Sequence, residues 1–354
     1  MPFNLVTHDR GCRGFLQAAR PFSQRQFGLV VVIVFRKGTM KGIILTVMII
    51  NASMLSPAQV VYPYPLTKQG ISVENNRYQM AYMDIVPVGN SNGKTILLLH
   101  GKNFNGYYWK DIIPALSRKG FRVIVPDQLG WGRSDKPDLH YSFHMLASAS
   151  KTLLDSLGVK KIILVGHSMG GMLAARFTLL FPDVVEKMIL ENPIGLEDYR
   201  SFVPYQPIEK LYAKEKAATY ETYKKYQQGY YPEWKPEYEQ FVQAQAESLK
   251  DPGFDSIAWV NAVTYQMIYE QPVIYEFKHI NVPCLFIIGQ MDRTIVGKDQ
   301  LTEAQKRHYG QYPELGKKIK AIVKNSKLVE LPGIGHIPHI QNKDQFLKIV
   351  FDFL

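Results

Sequence analysis

Residues 161–171 read KIILVGHSMGG. Residues 162–166 are apolar enough for a buried strand, and residues 172–180 read as a helix. Between them, Gly166-His167-Ser168-Met169-Gly170 has the G-x-S-x-G form of a nucleophile elbow. Such a turn is so tight that its serine is held in a strained backbone conformation. Small residues two places before and after it keep neighbouring backbone from colliding. The Ser168 hydroxyl is thereby lifted clear of the sheet at a helix N-terminus, where backbone N–H groups stabilise an anion. A bare G-x-S-x-G also arises by chance as a glycine-rich turn with a solvated serine. The strand before it and the helix after it are the context that gives it chemical meaning.

Before this stretch, 71–86 predicts two short strands, 95–99 an apolar strand running into His100-Gly101, and 109–119 a helix with Ile112, Ile113 and Leu116 on one face. A strand over 121–125 ends at Pro126-Asp127, followed by a loop with Gly130, Gly132 and Pro137 and a helix over about 142–157. Further strands are expected at 185–190, 283–288 and 327–330, with an amphipathic helix over 343–354. Strands alternating with helices at this spacing predict an α/β fold: a mainly parallel sheet with helices on both faces. The rhythm stops over about 194–271, a block rich in tyrosine (among others Tyr199, Tyr223, Tyr230 and Tyr265) with Trp234 and Trp259. We read it as an inserted helical cap over the strand ends. Most of its tyrosines pack cap helices together and a few line an amphipathic pocket. The core is thus expected in two parts, 59–193 and 272–354.

The 354 residues are 46% hydrophobic and 21% charged, the composition of an ordinary globular chain. Of the +11 net charge, residues 1–58 hold +6, from seven basic residues and one acid, leaving a mild +5 elsewhere. No basic cluster interleaved with aromatics occurs, which argues against a nucleic-acid partner. Two cysteines, Cys12 and Cys284, make no disulfide framework, and Cys284 sits in an apolar run that reads as a buried strand. Metal-ligand spacings are also absent from the sequence, so no metal or organic cofactor is expected. From Met40 the chain reads as a charged start, an apolar run over 43–50 and a small-x-small ending at Ser56 and Ala58, the order of a secretory signal peptide over 40–58. Residues 1–39 then read as an over-extended, non-native or disordered start. The expectation is a secreted or periplasmic protein cleaved near Ala58, with no membrane span in the mature form. The alternative is an anchor over 27–55, which Arg36, Lys37 and Lys41 interrupt.

Four segments, LLLHGKNFNGYYW (97–109), PDQLGWGRSDKP (126–137), GHSMGG (166–171) and PGIGHIPH (332–339), together resemble the α/β-hydrolase superfamily, in its branch of small hydrolases with a helical cap. With the periodicity between them they cover nearly everything from about residue 71 onward. The resemblance implies a triad in the order Ser, acid, His. It assigns Ser168 as nucleophile, His336 as general base, and Asp292, after the strand at 283–288, as the acid that orients the imidazole. Glu191 and Asp198 remain rival acids, and His339 a packing or pocket group. His100 and His167 read as structural. The resemblance also implies oxyanion donors at the backbone N–H of Met169 and of Lys102, where the lysine side chain departs from the family pattern and Asn103 is the nearest uncharged donor. Because dehalogenases and epoxide hydrolases of this fold carry aspartate where this chain has Ser168, serine favours attack on a carbonyl. The expected activity is cleavage of a small-molecule carboxylic ester through an acyl-enzyme, by a monomer or weak oligomer. Carbon–carbon, amide or lactone hydrolysis and perhydrolysis are the alternatives on the same triad, although KNFNG (102–106) replaces the glycine-rich loop of the carbon–carbon hydrolases. A ligand-binding module without catalysis is the alternative from another class.

Overall fold

The computed structural model describes residues 30–34, 46–50 and 60–354, in two units, Met1–Gln59 and Val60–Leu354. In the first unit β1 (Val30–Val34) pairs antiparallel with β2 (Thr46–Ile50). Apart from these two strands, the expected start at Met40, the leader over 40–58, the alternative anchor over 27–55 and Cys12 lie outside the described residues. Among the described residues no helix is long and apolar enough to cross a membrane.

The second unit is built on one eight-stranded sheet. Its edge is a hairpin of β3 (Leu66–Val73) and β4 (Asn76–Ile85), joined to the rest by antiparallel pairing of β4 with β6 (Arg122–Pro126). The remaining strands run parallel: β5 (Thr95–Leu99), β6, β7 (Ile162–His167), β8 (Val185–Glu191), β9 (Cys284–Gly289) and β10 (Ser326–Leu331). Strands covered by helices on both faces need apolar side chains on both, which is why β7 and β9 read as continuous hydrophobic runs and are buried along their whole length. Cys284 is one of these buried strand residues and is a free thiol.

Spatial order across the sheet is β10-β9-β8-β7-β5-β6-β4-β3. The chain leaves β5 through α1 (Ile113–Arg118) to β6 on one side, then returns through α2 (Phe143–Ser156) to β7 on the other. Connections that depart in opposite directions leave a crevice beyond the carboxyl ends of β5 and β7, where open α/β sheets place their ligands. The loop starting at Gly101 and the turn at Ser168 both open into that crevice. α3 (Met169–Leu180) follows β7 at once, three residues earlier than the periodicity suggested, because Ser168 is itself the N-cap.

Between β8 and β9 the chain forms α4 (Ile208–Lys216), α5 (Tyr220–Gln228), α6 (Glu239–Ala246) and α7 (Phe254–Glu270), with short 3-10 turns and no strand. Two helices that the sequence pattern did not suggest, α8 (Glu303–His308) and α9 (Tyr312–Ile322), precede β10; α10 (Pro338–Gln341) and α11 (Lys343–Phe353) end the chain. The helix expected over 109–119 is instead a 3-10 turn, Gly106–Trp109, followed by α1, since Pro114 suits only a first helical turn.

Candidate active site

Ser168 has φ +56° and ψ −120°, a region that a residue with a Cβ rarely enters. The fold imposes this conformation from both sides. Ser168 N–H donates to Glu191 C=O (3.1 Å), while Gly171 N–H (2.9 Å) and Ile194 N–H (3.2 Å) donate to the Ser168 carbonyl. A Cβ at Gly166 would overlap the Gly170 carbonyl, and one at Gly170 would overlap Leu99 O. The two glycines are therefore required by close backbone approach, the physical content of the G-x-S-x-G spacing.

From this turn the Ser168 hydroxyl stands 2.9 Å from His336 Nε2, and His336 Nδ1 stands 2.7 Å from Asp292 Oδ2. All three residues are buried. An imidazole that donates Nδ1–H to a carboxylate presents Nε2 as an acceptor, so the arrangement can take the proton of the serine hydroxyl. Asp292 follows β9, and both its carboxylate oxygens accept further hydrogen bonds: Asn192 Nδ2 donates to Oδ2 (2.8 Å) and Thr294 N–H to Oδ1 (2.8 Å). Burial by itself raises the Asp292 carboxyl, but the His336 charge and the hydrogen bonds from His336, Thr294 and Asn192 hold it below the usual range. Asn192 also accepts Gly289 N–H (2.9 Å), tying the end of β8 to the end of β9. It is a positioning residue that no local pattern in the sequence marks, since its partners lie about a hundred positions away.

His336 is held from both sides of its own backbone. Its N–H donates to Tyr230 C=O (2.7 Å) in the insert, and its C=O accepts His167 Nε2–H (2.9 Å). The Tyr230 ring stacks on the His336 imidazole at 4.8 Å. A Cβ at Gly335 would overlap Tyr230 O, which explains the glycine before the histidine. His167, read from sequence as packing, has a directed role. Gly101 N–H donates to Tyr108 Oη (3.0 Å), and the same Oη lies 3.2 Å from His167 Nδ1. Burial pushes the His167 pKa well below the ordinary histidine value, with the charges of His336 and His339 acting in the same sense. The ring is neutral, Nε2 carries the proton given to His336, and Tyr108 O–H must donate to Nδ1. A one-way chain of donors thus joins the loop after β5 to the backbone of His336.

The rival acids lie elsewhere. The Glu191 carboxylate accepts His339 N–H (2.6 Å) and faces His339 Nδ1 (2.8 Å), while the His339 ring stacks on Trp109. This buried pair pins α10, just beyond His336, to the end of β8. Asp198 pairs with Arg200 at the surface. His100 is structural, donating through Nδ1 to Gly101 C=O (2.9 Å) and accepting Gln128 N–H at Nε2 (3.0 Å).

Of the expected oxyanion donors, Met169 begins α3 directly after Ser168, and Lys102 follows Gly101, whose Cβ position lies 3.2 Å from Ser168 Cβ. Among the described residues neither backbone N–H donates to a protein acceptor. Asn103 is engaged through Nδ2 with Tyr230 Oη (2.9 Å). A cavity of about 100 Å³ opens along the same loop, walled by Lys102 and Asn103, by Arg133 and Lys136 after β6, and by Tyr223 and Glu247 of the insert. Ser168 and His336 do not line it. Of the insert tyrosines, Tyr223 alone lines it; the cavity's other aromatic walls, Tyr62, Phe104 and Trp131, come from outside the insert. Among the described residues no group of three or more His, Cys, Asp or Glu side chains is placed to hold a metal.

The chain is 41% identical to a probable hydrolytic enzyme from Pseudomonas aeruginosa PAO1, over 83% of this chain and 95% of that one, with a TM-score of 0.81. A thermophilic esterase from Thermogutta terrifontis shares the fold at 20% identity and a TM-score of 0.64, over 81% of this chain and 97% of that one. An uncharacterized protein of Mycobacterium tuberculosis is 39% identical over 104 residues, which is 29% of this chain, and the chain spans 30% of the length of that curated relative. Residues 94–343, from just before β5 to the start of α11, match the family described as the alpha/beta hydrolase fold. With that match and the parallel sheet, the chain belongs to the α/β-hydrolase family.

Proposed function

We propose that the protein is a serine hydrolase that cleaves carboxylic esters. The observation that carries this reading is the hydrogen-bonded chain from Asp292 through His336 to Ser168, set beside two backbone N–H groups without a protein partner. An isolated serine hydroxyl is a weak nucleophile, and His336 is at the distance needed to remove its proton as Ser168 Oγ attacks the ester carbonyl. The oxyanion that develops is met by the N–H groups of Met169 and Lys102. His336 then gives its proton to the departing alkoxide, leaving an acyl-Ser168. Water, deprotonated by the same imidazole, releases the acid and restores the serine. Asp292 remains ionised throughout and stabilises the imidazolium. The insert acts as a cap, holding His336 through Tyr230.

A fluorophosphonate probe tests this reading. It should label wild-type protein at Ser168 and leave Ser168→Ala unlabelled, and the variant should lose ester turnover by about 10⁴-fold or more. A variant that keeps a tenth of wild-type turnover removes Ser168 from the mechanism. Residues 40–58 are proposed to act as a leader, which N-terminal sequencing of protein expressed from Met40 in a Gram-negative host would test.

A further inference from the structure

Beside aromatic and apolar side chains, the cavity along the β5 loop carries three cationic groups and two carboxylates. Lys102, Arg133 and Lys136 line it against two carboxylates, Glu247 and Asp251. Glu247 is occupied by Arg133, whose Nη2 lies 2.9 Å from both carboxylate oxygens. Asp251 accepts Gly253 N–H (2.7 Å). Lys136 donates only to backbone, to Gly132 C=O (2.8 Å) and Ser134 C=O (3.0 Å). Among the described residues Lys102 has neither a salt bridge nor a side-chain hydrogen bond, and its acidic influence is Glu215 on α4. Burial lowers the pKa of both lysines, and nearby acids only partly offset it. Two ammonium groups half-withdrawn from water without a bound carboxylate are costly to keep charged, and an incoming anion relieves that cost.

We propose that this cavity takes a short anionic arm of the substrate, a carboxylate, with the ammonium groups of Lys102 and Lys136 as its counter-charges. The proposal rests on the reading of Ser168 as nucleophile, which turns such binding into a preference among esters. The cavity shares its loop with the reacting centre. Gly101, beside Lys102, abuts Ser168, and Asn103 bonds the phenol of Tyr230, whose ring covers His336. A substrate whose carbonyl lies at Ser168 can therefore extend along 101–103 into the cavity. Its volume of about 100 Å³ is well below the ~300 Å³ at which pockets begin to enclose drug-sized ligands, so the arm is short.

The test compares the 4-nitrophenyl half-esters of succinate and glutarate with the neutral butyrate and valerate esters of matching length. 4-Carboxyphenyl butyrate against phenyl butyrate asks whether the charge sits on the alcohol side instead. One of these pairs should favour the anion by about tenfold or more in kcat/KM, the equivalent of one charge-assisted hydrogen bond. The ratio of anionic to neutral turnover, which cancels any general effect on the loop, should fall towards unity in Lys102→Met and in Lys136→Met and persist in Lys102→Arg. Raised salt should weaken it in wild type. If wild-type protein is labelled at Ser168 yet shows no anionic preference, or if both methionine variants keep the ratio, the proposal is overturned and the nucleophile reading stands. If Ser168 takes no label and no ester turns over, both readings fall.

Discussion

The turn around Ser168 and the helical insert between β8 and β9 both hold His336, one through His167 and the other through Tyr230, but by different kinds of constraint. At the turn, backbone meets backbone. Gly166 and Gly170 have no room for a methyl group, and the Ser168 N–H and C=O are both engaged by neighbouring backbone, at Glu191 and at Gly171 and Ile194. In the insert, Tyr230 holds His336 through its carbonyl and its ring, but the insert's own helices bury few side chains. α4 buries only Leu211, and α5 only Tyr223 and Gln227. Among the described residues, Gln227 Oε1 and Tyr231 Oη of the insert are buried without a hydrogen-bond partner. A region specified by steric exclusion tolerates almost no substitution. One specified by few buried side chains can be rebuilt.

The largest expected effect lies at the end of β9. Asp292→Asn should lower ester turnover by about 10⁴-fold, because the amide presents an N–H to His336 and forces the wrong tautomer. Asp198→Asn, in the insert, should stay within about twofold of wild type when both are assayed at neutral pH. Equal losses would erase the distinction between the two regions.

Next in size is a stability contrast. Gly170→Ala should destabilise the fold by about 3 kcal/mol, since the new methyl meets a backbone carbonyl that cannot turn aside. Tyr205→Ala, exposed in the insert, should change stability by no more than about 1 kcal/mol. Urea denaturation of both variants measures this.

A smaller effect is expected from Tyr108→Phe, which removes the donor to His167 Nδ1 while keeping the ring. The turnover number should fall about tenfold with KM little changed, as befits a group that orients His336 without touching substrate. A change confined to KM would place Tyr108 in the binding surface instead.

Acid stability sharpens the same point. The buried His167 and His100 have lowered pKa values, so the unfolded chain binds more protons than the native one as pH falls past the ordinary histidine value of about 6.5. Their stabilisation is complete above that value and is lost on acidification. Asp292, also lowered, adds a loss below its ordinary value of about 3.9. The thermal midpoint should be flat near pH 7–8 and begin to fall near pH 6.5. His167→Gln should reduce the first part of that decline, and an unchanged profile would count against a neutral buried His167.

What the sequence determined by itself was whatever short-range periodicity and sterics encode. The alternation of apolar runs and helical patterns carries the parallel sheet, and the spacing Gly166-x-Ser168-x-Gly170 carries the elbow, because both are set within a few residues. Asp292 and His336 were legible through the order of motifs, and the structure brings them to Ser168. The helices α8 and α9 were not, since they are short and weakly periodic. Which histidine and which acid serve which partner follows from packing across the sheet. Glu191 and His339 satisfy each other in the interior, His167 becomes a one-way donor, and Asn192 closes the carboxylate shell from a strand end far away in sequence. The fold also decided that the cavity beside the β5 loop is walled by Lys102, Arg133 and Lys136 and by a single tyrosine of the insert, Tyr223. Those assignments depend on which buried donors and acceptors meet across the sheet, and a hydrogen bond between residues a hundred positions apart leaves no periodic trace in the chain that makes it.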